Sequence, residues 1–121
     1  IMFDIVINAK NNPKIKEVKL LLTSSKDRKN SGLFVVEGIR LCLDALLSGC
    51  EIENVFCTEN CAEKYSDEIT TLKEGCKNFY GVSADVLKSI SDCSWSRGIA
   101  RYPQSSLLLY EPSFVYKTSI V

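Results

Sequence analysis

A chain of 121 residues is enough for one hydrophobic core and too short for two well-formed domains. Apolar residues make up 45% and charged residues 25%, which excludes disorder as the default state, and no apolar run approaches the ~20 residues that cross a bilayer. Fifteen bases and fifteen acids cancel over the whole chain but not locally: residues 1–40 hold eight bases against four acids, and the remaining 81 hold seven against eleven. A polyanion would meet the N-terminal third first.

In chain order, Ile1 to Ile7 reads as a short strand or an ordered arm. It carries Asp4 and lacks both a basic leader and a small-residue cleavage site, so a secretory signal is not expected and a cytoplasmic protein is. Asn11-Asn12-Pro13 forms a turn and opens a helix with Pro at its first position. Ile15, Val18, Leu21 and Leu22 then fall on one helical face, with Lys14, Lys16 and Lys19 elsewhere. The basic side of this helix is either solvated or in contact with nucleic acid.

Thr23-Ser24-Ser25 ends that helix, and Lys26 to Asn30 is a basic connection or one further helical turn. Leu33 to Val36 reads as a buried strand, and Glu37-Gly38 opens the next helix, in which Ile39, Cys42, Leu43, Leu46 and Leu47 recur at helical spacing before Ser48-Gly49 stops it. A second strand spans Ile52 to Cys57. This alternation predicts a βαβ unit in a largely parallel sheet. A third helix is expected from about Cys61 to Lys73, with Asn60 as its cap and Ala62, Tyr65, Ile69 and Leu72 on one face. Phe79 to Val82 is a strand, and Ser83 caps a helix through Val86, Leu87 and Ile90. Ser94 to Ile99 is loop-like, Leu107 to Tyr110 fits a strand, and the final residues have no clear period.

The chain contains no His, which removes the commonest general base and the usual partner of a Ser or Cys nucleophile. Six cysteines, Cys42, Cys50, Cys57, Cys61, Cys76 and Cys93, are scattered through expected helices and strands and read as reduced small hydrophobes. A zinc site at Cys57 and Cys61 is the sharper alternative, but no second paired motif follows. The six glycines stand apart and form no phosphate loop, and Glu51 and Glu53 read as solvated. No self-contained catalytic constellation is present. Basic groups are different: Lys26, Arg28, Lys29 and Arg40 flank a strand-to-helix turn and are expected to converge on a phosphate backbone, with Asn12 and Lys16 approaching from the preceding helix. Glu37, just before Gly38, either holds backbone donors or Arg40, or faces a ligand.

In these residues, Asn11 to Lys16, Lys19-Leu20-Leu21, Lys26-Asp27-Arg28, Phe34 to Arg40, Ala45-Leu46 with Gly49, and Val82-Ser83 through Val86-Leu87 to Ser91-Asp92, the chain resembles the N-terminal substrate-binding domain of the SpoU/TrmH family of RNA 2′-O-ribose methyltransferases. The resemblance implies a three-layer α/β/α sandwich similar to small ribosomal proteins that bind kinked RNA, with a mixed, mostly parallel sheet. It makes residues 1–100 an RNA substrate-binding domain and 101–121 a diverged or unrelated tail that is not a separate domain. It implies structured ribosomal or transfer RNA as partner, and Asn12, Lys16, Lys26, Arg28, Glu37 and Arg40 as its RNA-facing residues. S-adenosylmethionine is implied for the whole enzyme, bound in a separate catalytic domain and not by this chain; neither membrane nor DNA is an expected partner. Where the family continues through a Thr and a Pro-Gln-Gly-Ile segment, this chain has Cys93-Ser94-Trp95-Ser96-Arg97-Gly98-Ile99-Ala100. Two other readings stand beside this one: a freestanding RNA-binding module, and a protein-interaction domain using Trp95 and Leu107 to Leu109.

Overall fold

Two apolar stripes, one on each face of a single sheet, organise the chain. The computed structural model describes residues 2–33, 35–49, 51–96 and 118–120. Its elements are β1 (Ile5–Ile7), α1 (Pro13–Thr23), α2 (Ser25–Ser31), β2 (Val35–Glu37), α3 (Ile39–Leu47), β3 (Ile52–Cys57), α4 (Glu59–Lys64), α5 (Ser66–Gly75), β4 (Cys76–Val82), α6 (Ala84–Ser96) and β5 (Thr118–Ile120). The strands lie in the order β1-β4-β3-β5-β2, and every pairing between them is parallel. With helices on both faces, this is the α/β sandwich that the alternation of strand and helix predicts.

Successive strand residues point to opposite faces, and the core divides accordingly. Val35, Phe56, Tyr80 and Val82 pack with Ile15, Val18, Leu21 and Leu22 of α1 and with Val86 and Ile90 of α6. Val36, Val55, Cys57 and Phe79 pack with Leu41 and Cys42 of α3, Ala62 of α4, and Ile69 and Leu72 of α5. All four apolar positions read from the sequence of α1 are buried.

A single residue separates α1 from α2. The backbone N–H of Ser24 donates to Leu20 O and closes α1, while its Oγ accepts from Asp27 N at 3.2 Å and opens α2. The expected connection at Lys26 to Asn30 is thus a full helix, ended by Gly32.

Three expectations differ from the structure. The third helix is two helices, because Tyr65 leaves helical geometry (φ −120, ψ 48) and α5 restarts with Asp67 and Glu68 at its positive end; Tyr65 is 38% exposed rather than on the apolar face. The cap is Thr58, whose Oγ1 accepts from Cys61 N at 3.2 Å, and not Asn60. Helix α6 continues to Ser96, past the loop expected from Ser94. The expected βαβ unit is present, with β2 and β3 parallel in one sheet and β5 between them, pairing with both. The strand expected at Leu107 to Tyr110 lies outside the described residues.

Candidate nucleic-acid interface

Because the sheet is parallel, all its strands end on one edge, and α1 and α3 begin there. At the start of α1 the Asn12 side chain accepts from Lys14 N at 2.9 Å, which satisfies one of the donors that a helix start leaves open, and Pro13 takes a position that needs no N–H. Lys16, one turn further on, is exposed. At the start of α3 the capping residue is Gly38, at φ 109 and ψ 142, a backbone conformation closed to L side chains without strain. Among the described residues no side chain caps this helix. Arg40 is exposed in the first turn of α3, and the half-buried Glu37 ends β2 just before it. This edge thus carries Asn12, Lys16, Glu37 and Arg40.

Lys26 and Arg28 stand at the opposite edge, where the chain leads into β2. Arg28 is turned inward: its Nη1 donates to Leu21 O at 2.6 Å, one of the last carbonyls of α1. Lys26 is exposed. The expected convergence of Lys26, Arg28, Lys29 and Arg40 therefore does not occur, because β2 runs between the first three and the last. Sequence spacing made them look adjacent. The strand that separates them is the reason they are not.

Sequence reasoning missed a cleft of about 960 Å³ at the carboxyl ends of β1, β3 and β4. Val6 and Gly81 contribute apolar lining, Asn8 and Ser83 polar lining, and its charged side chains are Glu59 and Glu63. Two carboxylates one helical turn apart make it a poor seat for phosphate. The signal that pointed to it was position alone, since Thr58, Glu59 and Ser83 directly follow strands.

The described cysteines Cys42, Cys57, Cys61 and Cys76 all lie on the α3–α5 side of the sheet. Burial pushes the Cys57 thiol up to about 12, helped by the neighbouring Cys61 and Cys76. Burial likewise raises Cys76 to about 11, with Asp4 adding to the shift and Lys73 opposing it, and raises Cys61 against the pull of Lys64. Cys57, Cys61 and Cys76 therefore stay protonated at neutral pH, which makes them weak nucleophiles. Among the described residues no group of three or more His, Cys, Asp or Glu side chains is placed to hold a metal ion. No described helix is long and apolar enough to cross a membrane.

Neither the curated proteins nor the solved structures include a match to this chain. Comparison with protein families gives a match over residues 12–100, which includes α1 to α6 and both helix starts described above. On that match, which covers most of its length, the chain belongs to the MRM3-like substrate binding domain family and is a substrate-binding domain related to RNA methyltransferases.

Proposed function

We propose that this chain is the RNA-gripping domain of an S-adenosylmethionine-dependent RNA 2′-O-ribose methyltransferase of the SpoU/TrmH type, acting on structured ribosomal or transfer RNA in the cytoplasm. The observation that carries this reading is the family match over residues 12–100. The basic N-terminal third, folded into α1, α2 and the start of α3, supports it.

This reading expects the methyl-donor site in another domain. The described glycines stand apart in turns, caps and close contacts: a Cβ on Gly75, for example, would lie 2.5 Å from the Leu46 side chain of α3. Methyl transfer is assigned to a domain other than these residues. The task of this chain is to hold RNA and orient one ribose 2′-hydroxyl toward that domain. Lys16, Lys26 and Arg40 supply exposed charge for phosphates, while Asn12 and Arg28 hold the helices that present it.

The test is a fluorescence-anisotropy titration of the 121-residue chain with fragmented ribosomal RNA at low and moderate salt. Binding that weakens linearly in log–log form as salt rises is the expected result. No binding at low salt would overturn the reading.

A further inference from the structure

The two helical layers are opposite in charge. Residues 13–31, which form α1 and α2, hold six bases and two acids, whereas residues 59–75, covering α4 and α5, hold two bases and five acids. We propose that the domain takes double-helical RNA by its phosphate backbone on the outer face of α1 and α2, with the α4–α5 layer turned away. This rests on the RNA-binding reading above and names the surface and the RNA class.

Three observations carry it. First, the exposed charges of this face are lysines, namely Lys16, Lys26 and Lys29, with Lys10 just before α1. An ammonium is a point charge suited to phosphate. The planar fork that reads base edges belongs to Arg, and the one Arg of this segment is committed to Leu21 O. Second, the face is rigid, because Ser24 caps both helices and Arg28 ties α2 to the last turn of α1. Helix α1 alone runs about 16 Å, so the charges are held along a line rather than at a point.

Third, residues 13–31 offer no platform for unstacked bases. Residues 13–31 contain no aromatic side chain. Phe3 stacks on Phe79 and Phe56 on Tyr80, with ring centroids 5.1 and 5.2 Å apart, and Tyr65 lies on the acidic layer beside Lys64. Single strands are gripped by aromatic stacking, whereas a duplex offers regular rows of phosphate and is read by shape. Lysines fixed on two joined helices suit the second.

The experiment compares a 20-base-pair RNA duplex, a duplex of scrambled sequence and the corresponding single strand, binding to the wild-type chain and to two charge-matched variants. One variant is Lys16→Glu with Lys29→Glu; the other is Lys64→Glu with Lys77→Glu, which reverses exposed lysines away from this face. Circular dichroism melting checks that both fold. The expected result is that both duplexes bind alike and more tightly than the single strand. The face variant should lose about tenfold or more in duplex affinity, with a salt slope shallower by about two units, and the control should stay within about twofold. RNA binding that falls equally in both variants, or that favours the single strand, overturns this surface while leaving the RNA-binding reading intact. No RNA binding by the wild-type chain overturns both.

Discussion

The layer of α1, α2 and α6 and the layer of α3, α4 and α5 cover opposite faces of one sheet with similar apolar stripes, but they present opposite charge to solvent. Inside, the match is close. Phe56 is fully buried on the first side against Tyr80, and Phe79 is 1% exposed on the second against Phe3. Outside, lysines dominate one layer and carboxylates the other. Since the packing does not need the charge, the charge difference teaches where a polyanion can lie.

The comparison is tested hardest in the core. Phe56→Ala and Phe79→Ala should each cost about 3–5 kcal/mol of stability, because each removes a buried ring and leaves a cavity in a close-packed layer. Urea unfolding of the two variants measures this directly. If one proved far cheaper than the other, the two layers would not be equivalent inside, and the charge difference could no longer be separated from packing.

Arg28 sharpens the comparison from the surface inward. Removing it leaves the Leu21 carbonyl without its charged donor, so Arg28→Ala should destabilise the chain by about 1.5–3 kcal/mol. RNA affinity measured well below the melting temperature should fall less than in the Lys16→Glu, Lys29→Glu variant. The reverse outcome, unchanged stability with lost RNA affinity, would make Arg28 a contact residue.

The thiols give the α3–α5 layer its own signature. Cys57 ionises at about 12 in the folded chain against an ordinary 9.0, so the folded state binds this proton more tightly than the unfolded state does. The stabilisation is complete below pH 9 and is lost as the pH rises toward 12. Chemical denaturation followed over this range should show a declining midpoint, and Cys57→Ala should make the decline shallower. An identical slope in that variant would assign the alkaline loss to other groups.

Much of the fold was legible because local signals agreed. The period of Ile15, Val18, Leu21 and Leu22 marked the buried face of α1, and Ile52 to Cys57 had the apolar, β-branched character of a central strand. The insertion of β5 was not legible. Thr118-Ser119-Ile120 is too short to carry a period, and its place between β2 and β3 is set by pairings with residues more than 60 positions away. The break at Tyr65 was hidden because an aromatic residue at helical spacing resembles a core position. At the candidate interface, residue types were visible but directions were not: nothing in the spacing of Arg28 shows that it turns back seven residues to Leu21 instead of outward.

The smallest expected change in stability tests the comparison most finely. Lys16 and Lys29 are exposed on α1 and α2, and Arg40 is exposed at the start of α3. Replacing any of them with Ala should change stability by no more than about 0.5 kcal/mol, since no buried group loses a partner. Their effects on RNA should nevertheless be unequal. Each lysine lost from the α1–α2 face should remove about one unit from the salt slope. Arg40 lies on the opposite helical layer, at the edge where strands end, and its removal matters only if the RNA wraps that edge to place a phosphate at the start of α3. Titrations of Lys16→Ala, Lys29→Ala and Arg40→Ala at several salt concentrations separate the two geometries. A slope lowered by all three means that the backbone follows α1 and turns over the carboxyl edge. A slope lowered by the lysines alone confines the RNA to one face of the sandwich.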